Sequence, residues 1–158
     1  MATPTSVEVI NPFIHSTTNA LQTMAFIKPA IGKPFLKTSQ NLVCDVSGSI
    51  GISGETTGTI NVNFGTEVIC KIVSNMLGEA HDIIDETVTD AVGEIANMIA
   101  GGAKGEMQAK GMNFTIALPS VTVGKNHSHA HPTDVPTIVI PFSMDQGDFA
   151  VEVCVKEQ

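Results

Sequence analysis

The sequence predicts an α+β domain, an antiparallel or mixed sheet of about five to six strands with three main helices packed on it. Three observations carry this prediction. Residues 13–24, 68–77 and 88–103 place apolar side chains at helical spacing. Residues 44–64 and 149–155 alternate apolar and other side chains with the period of a strand that has one buried face. The elements run helix, two strands, two helices, then three or more strands, and such runs of strands with the helices gathered between them indicate α+β.

The first helix is signalled by Asn11-Pro12, an N-cap residue followed by proline at the first helical position. Phe13, Ile14, Thr17, Ala20, Leu21 and Met24 follow at helical spacing, and Lys28 before Pro29 limits the helix to Ile27. Residues 29–41 hold two prolines and a glycine and read as a connection with a short strand around Phe35–Lys37. In the first hairpin Cys44, Val46, Ile50 and Ile52 share one face, with Asp45, Ser47, Ser49 and Ser53 opposite. After a turn over Gly54–Gly58, Ile60, Val62 and Phe64 point one way and Thr59, Asn61 and Asn63 the other, toward water. The inward Gly48 is expected to let a helix lie close to the sheet.

Thr66 can cap a second helix whose Val68, Ile69, Ile72, Val73, Met76 and Leu77 face inward, stopped by Gly78. The third helix has Thr87 and Asp90 as a capping box or Asp85 as its cap. Phe114, Ile116 and Leu118 then alternate as a strand that Val121–Val123 extends beyond Pro119. Gly124–Pro136 reads as a polar loop, and Thr137–Phe142 with Phe149–Lys156 as a last hairpin around Asp145–Asp148. In its second strand Ala150, Glu152 and Lys156 oppose the apolar Phe149, Val151, Val153 and Val155. The sheet is expected to carry its helices on one side and leave an open face or edge, which invites a second copy.

Composition bounds the function. A length of 158 residues, 42% hydrophobic and 15% charged, fits one globular domain spanning 1–158. Sixteen acidic against eight basic residues, net −8, argue against a nucleic-acid surface. No apolar run suffices for a membrane span, and the N-terminus lacks the pattern of a signal peptide, so a cytoplasmic location is expected. Cys44, Cys70 and Cys154 form no CxxC pair and read as buried reduced thiols. No nucleophile elbow, P-loop or dinucleotide fingerprint appears. His127, His129 and His131, with Asp134 nearby, are the one candidate metal cluster, set against the plainer reading of an exposed polar loop.

The segment with most to explain is Asp85–Lys110. Val88, Ala91, Val92, Ile95, Ile99 and Ala103 form one arc; Thr87, Asp90, Glu94, Asn97, Gly101, Lys104 and Gly105 form the other. Glu94 and Asn97 are neighbours on the helix surface, on a stripe that Gly101 and Gly105 flatten enough for another protein to approach. Asparagine can donate to and accept from one water molecule. Spacing alone leaves a solvated helix face as the alternative.

The stretch Asp90-Ala-Val-Gly-Glu94-Ile-Ala-Asn97-Met-Ile-Ala-Gly101 resembles the signature of the CheC/CheX/FliY chemotaxis phosphatases: Glu, two residues, Asn, then a short apolar pair and Gly. The segments SGSIGISGETTGTINVNF, IPFSMDQGDFAVEVCV and NPFIHSTTNALQTMA are similar to the CheX branch, so the resemblance covers nearly the whole chain. It implies a phosphatase that hydrolyses the phospho-aspartate of a CheY-type response-regulator receiver. By that resemblance Asn97 positions the attacking water and Glu94 anchors the receiver through its Lys. Asp90, Gly101 and Lys104 would belong to the same receiver-binding stripe. No cofactor is implied in this chain, the divalent metal being held by the receiver. Relatives of the CheC type carry the motif twice, whereas here the first helix has Ser16 for Glu and keeps Asn19. One complete motif is similar to the CheX arrangement, a homodimer with one site per subunit. The alternative within the fold is a non-catalytic module that binds a receiver or a flagellar-switch component. Outside it stands a metal- or small-molecule-binding module centred on the histidine loop.

Overall fold

The computed structural model describes residues 6–37, 44–127 and 136–157. Helix α1 spans Ser6–Ala25, followed by strands β1 (Ala30–Ile31), β2 (Phe35–Leu36), β3 (Cys44–Gly54) and β4 (Thr56–Phe64). Helices α2 (Thr66–Leu77) and α3 (Glu86–Ala109) come next, then β5 (Phe114–Ile116), β6 (Ser120–His127), β7 (Ile138–Met144) and β8 (Gly147–Glu157). The described strands form one antiparallel sheet in the order β1-β7-β8-β4-β3-β5, with β2 also on β7 and β6 also on β3. The count is eight, not five to six, because each edge strand is divided. Two-residue β1 and β2 share the outer side of β7, and β5 and β6 share that of β3. Among the described strands only β1, a pair too short to show alternation, has no counterpart in the sequence pattern.

Helix α1 begins five residues before the expected cap and carries Pro12 inside it. Proline costs an interior hydrogen bond, but Val9 and Phe13, one turn apart and each 1% exposed, bury the added turn against the core. The helix closes with Phe26 in the left-handed region at φ 59° and the Ile27 N–H donating to the Leu21 carbonyl at 3.2 Å. Thr66 is not the cap of α2. That position is Gly65, and Asp45 of β3 accepts from the Thr66 amide at 3.0 Å and its hydroxyl at 2.8 Å. Leu77, expected inside, is exposed beyond the buried face, while Gly78 ends the helix at φ 71° as expected.

The first hairpin turns at Glu55, tighter than the expected Gly54–Gly58. Its helix-facing side, Val46, Ile50, Ile60, Val62 and Phe64, is buried, and Phe64 and Phe142 both meet Phe149 at ring-centroid distances of 5.3 and 5.0 Å. The opposite side is not the wet face expected. Ser47, Asn61, Asn63 and Glu152 are buried there, with Lys37 laid across them and its Nζ 2.8 Å from Glu152. A bulge between Cys44 and Val46 breaks the alternation, and Cys44 shares contacts with Ser47 and His127 on this far side. Leu118, placed in a strand by pattern, sits between β5 and β6 and is 90% exposed.

Gly48 behaves as expected. A Cβ built there would stand 2.8 Å from the Ala96 Cβ and 3.3 Å from Val92, so α3 rests directly on the backbone of β3. Gly48→Val should therefore overpack this junction and destabilise the fold by about 1–3 kcal/mol. Urea unfolding followed by circular dichroism would read the loss as a lower midpoint.

Candidate functional site

Helix α3 starts where Asp85 accepts from the Val88 amide at 3.0 Å. Of the two candidate caps Asp85 is used, and the Thr87–Asp90 box is not, because Thr87 already lies in the first turn. From this start Val88, Val92, Ile95, Ala96, Ile99, Ala100, Ala103 and Met107 all turn into the core. Each fully buried large aliphatic among them contributes about 1.5–3 kcal/mol, which fixes the rotation of the helix. Asp90, Glu94, Asn97 and Gly101 are left exposed.

Glu94 and Asn97 share a shallow hollow of about 410 Å³ with Thr89, Asp90 and Gly93 on one side and Pro119 and Val121 on the other. Among the described residues no hydrogen bond or ion pair engages either the Glu94 carboxylate or the Asn97 amide. Gly93 keeps that wall low, its missing Cβ falling 3.5 Å from Val121 Cγ2. The structure thus joins Asp90, Glu94 and Asn97. Gly101 lies beyond the hollow with no atom within 4 Å of the place a Cβ would take, and Lys104 is half-buried further along. Pro119 and Val121 were not found by sequence reasoning, since they reach α3 only through the pairing of β6 with β3. Met98, 37% exposed and next to Asn97 in the chain, lines a different hollow from this one.

The incomplete first motif has a packing explanation. Ser16 Oγ donates to the Ile99 carbonyl at 2.6 Å, and Gly102 lies so close that a Cβ there would fall 2.3 Å from that oxygen. Ser16 is therefore spent on the α1–α3 contact. Asn19 lines a separate hollow of about 250 Å³ with Met98 and Glu106, where Glu106 pairs with His15 at 3.0 Å.

His127 belongs to β6 rather than to a loop. Its Nδ1 donates to the Gly124 carbonyl, so in the neutral ring Nε2 accepts from Ser47 Oγ at 3.0 Å; Cys44 Sγ is 3.4 Å away. His129, His131 and Asp134 lie outside the described residues. Among the described residues no group of three His, Cys, Asp or Glu side chains is placed to hold a metal ion. All three cysteines are buried and unbridged. Burial first, then the Glu152 and Asp45 carboxylates, push the Cys44 thiol up from 9.0 to about 11.

A thiol that holds its proton more tightly when folded makes stability fall as pH rises through the window between those two values. Above pH 9 the unfolded chain has lost a proton that the folded chain keeps. Unfolding free energy should therefore decrease from pH 9 to 11, and Cys44→Ala should flatten that decrease in parallel denaturation series.

The family model for chemotaxis phosphatase CheX matches residues 46–143. A CheC-like superfamily protein from Shewanella sp. PV-4 is 44% identical and superposes with a TM-score of 0.92, covering 96% of this chain and 99% of its own. A chain of the CheX–CheY–BeF3–Mg2+ complex from Borrelia burgdorferi is 26% identical with a TM-score of 0.77, covering 94% and 98%. The CheY-P phosphatase CheX of Thermotoga maritima is 29% identical over 119 residues, 75% of this chain and 77% of its own.

Proposed function

The chain belongs to the CheX family of chemotaxis phosphatases, and on that premise we propose that it hydrolyses the phospho-aspartate of a CheY-like receiver domain. The observation that carries the reading is the exposed Glu94–Asn97 pair, one helical turn apart and without partners among the described residues, above an open hollow. The relative from Thermotoga maritima is a CheY-P phosphatase, and the one from Borrelia burgdorferi was crystallised in a complex with CheY, BeF3 and Mg2+.

An acyl phosphate already carries a good leaving group, so the protein's task is to hold a water in line with the bond that breaks. Asn97 suits that task because its amide oxygen accepts one water proton while its nitrogen donates, turning a lone pair toward phosphorus. The water oxygen bonds to phosphorus, the phosphorus–carboxylate bond breaks to return the aspartate as a carboxylate, and both water protons leave on inorganic phosphate as H2PO4−. Glu94, exposed at the rim, suits an ion pair with a receiver lysine. Asp90 extends the acidic rim, Gly101 supplies clearance, and Lys104 stands further along the same stripe. The divalent ion is assigned to the receiver, and the location to the cytoplasm with it. Pairing with a second copy of this chain is supported by the outer edge of β6, which no described strand covers, and by exposed Leu118 and Val123 there.

Mixed with a phosphorylated cognate receiver, the protein should accelerate phosphate release, and Asn97→Ala should lower that rate by about 10²-fold. Unchanged decay with both proteins would leave only a receiver-binding module. Glu94→Ala should instead raise the receiver concentration needed for half-maximal rate roughly 10- to 100-fold, the value of a charge-assisted contact of about 1.5–3 kcal/mol. Light scattering should give a mass of two chains, and Leu118→Asp should shift it toward one.

A further inference from the structure

Resting on the receiver reading above, we infer that Gly93 keeps open a slot between α3 and β6 that selects the receiver. The slot takes a second basic side chain of that partner, its aliphatic stem along Pro119 and Val121 and its charge at Asp90.

The glycine at 93 is not one that packing demands. At Gly48 a Cβ would stand 2.8 Å from the Ala96 Cβ, and at Gly102 it would run into the Ser16 hydroxyl, so neither position admits a side chain. Gly93 differs from both. Apart from its chain neighbours and the helix backbone, only Val121 Cγ2 at 3.5 Å and Pro119 Cγ at 3.8 Å come within 4 Å of the place a Cβ would take. Those are ordinary van der Waals separations, and Gly93 has none of the positive φ that would favour glycine. Alanine would fit there, bury a methyl group and strengthen the helix, since glycine is among the poorest helix formers. The fold therefore gives up stability at position 93, and the return is an open floor between helix and strand.

The walls set the occupant. On one side the half-buried Pro119 and Val121 present apolar surface; on the other stand Thr89 and the exposed Asp90. Asp90 and Glu94 lie four positions apart with the same charge, which weakens a helix. Among the described residues neither carboxylate has an ion-pair partner. A lysine or arginine answers both walls at once, because it lays its methylenes on apolar surface and carries its charge at the end. An acidic side chain would be repelled by Asp90, and a purely apolar one would leave that carboxylate unmatched. Glu94 is already assigned to one receiver lysine, so the cation in the slot is a second.

Two measurements on the full-length protein test the slot. One is the receiver concentration that gives half-maximal phosphate release. The other is binding of the phosphorylated receiver in the Asn97→Ala background, where the phosphoryl group persists. Gly93→Leu fills the floor, and its longer side chain can leave through the open mouth. It should raise the half-maximal concentration about tenfold, leave the maximal rate nearly unchanged, and weaken binding by the same factor. Gly93→Ala should raise the urea midpoint and yet weaken binding about two- to threefold. Asp90→Asn should weaken binding about threefold and make it less sensitive to salt. Normal phosphate release with unweakened binding by Gly93→Leu would overturn the slot and leave the phosphatase reading standing. Binding lost in Gly93→Leu, with no phosphate release by the wild type, would overturn the phosphatase reading and leave the slot. Neither binding nor release would overturn both. Unchanged affinity in Asp90→Asn would overturn the basic occupant. If Gly93→Leu does not fold, Gly93→Ala decides: a lower urea midpoint or unchanged binding would overturn the slot.

Discussion

The contact between Gly48 and Ala96 is the constraint on which the rest of the molecule depends. With 2.8 Å between the Ala96 Cβ and the place a Gly48 side chain would begin, α3 lies as near to β3 as backbone allows. That depth lets Val92, Ile95 and Ile99 become fully buried, and their burial fixes the rotation that leaves Glu94 and Asn97 outside. Gly48 is also the register partner of Val121 on β6. One residue without a side chain thus positions both walls of the hollow, the helix above it and the strand beside it.

A second close approach explains why α1 carries no matching pair. The two long helices meet where Gly102 makes room for Ser16, whose hydroxyl donates to the Ile99 carbonyl. A glutamate at position 16 would bring a longer side chain and a charge into a place 9% exposed, against a helix backbone. The serine at position 16 and the tight packing of α1 on α3 are two descriptions of one arrangement.

Where the sequence carried local information, its structure was legible. Apolar spacing located all three helices, the alternation of 44–64 and 149–155 located the central strands, and Gly48 announced the helix lying over it. The failures share a cause: tertiary contacts overrode a local signal. Asn11-Pro12 is a sound N-terminus locally, yet burial of Val9 extends the helix through it. Cys44 alternates with Val46 on paper, but the bulge returns it to the far face. Glu152 reads as solvent-facing until Lys37, 115 positions away, is seen to lie on it. In the site, the Glu94–Asn97 stripe was visible because it sits on one helix. Pro119 and Val121 were not, because strand pairing brings them there.

Comparing two glutamate–asparagine pairs among the described residues separates structure from function. On the far face Glu152 and Asn63 are buried and bonded to each other, and Lys37 completes the charge balance. A buried carboxylate requires such company, because leaving it unpaired costs several kcal/mol. On α3 Glu94 and Asn97 are exposed and bonded to nothing among the described residues. Water satisfies them at little cost, so they add little to holding the fold, and both remain free to meet groups presented by another molecule. Composition is shared by the two pairs; burial alone assigns one to the interior and leaves the other available for chemistry.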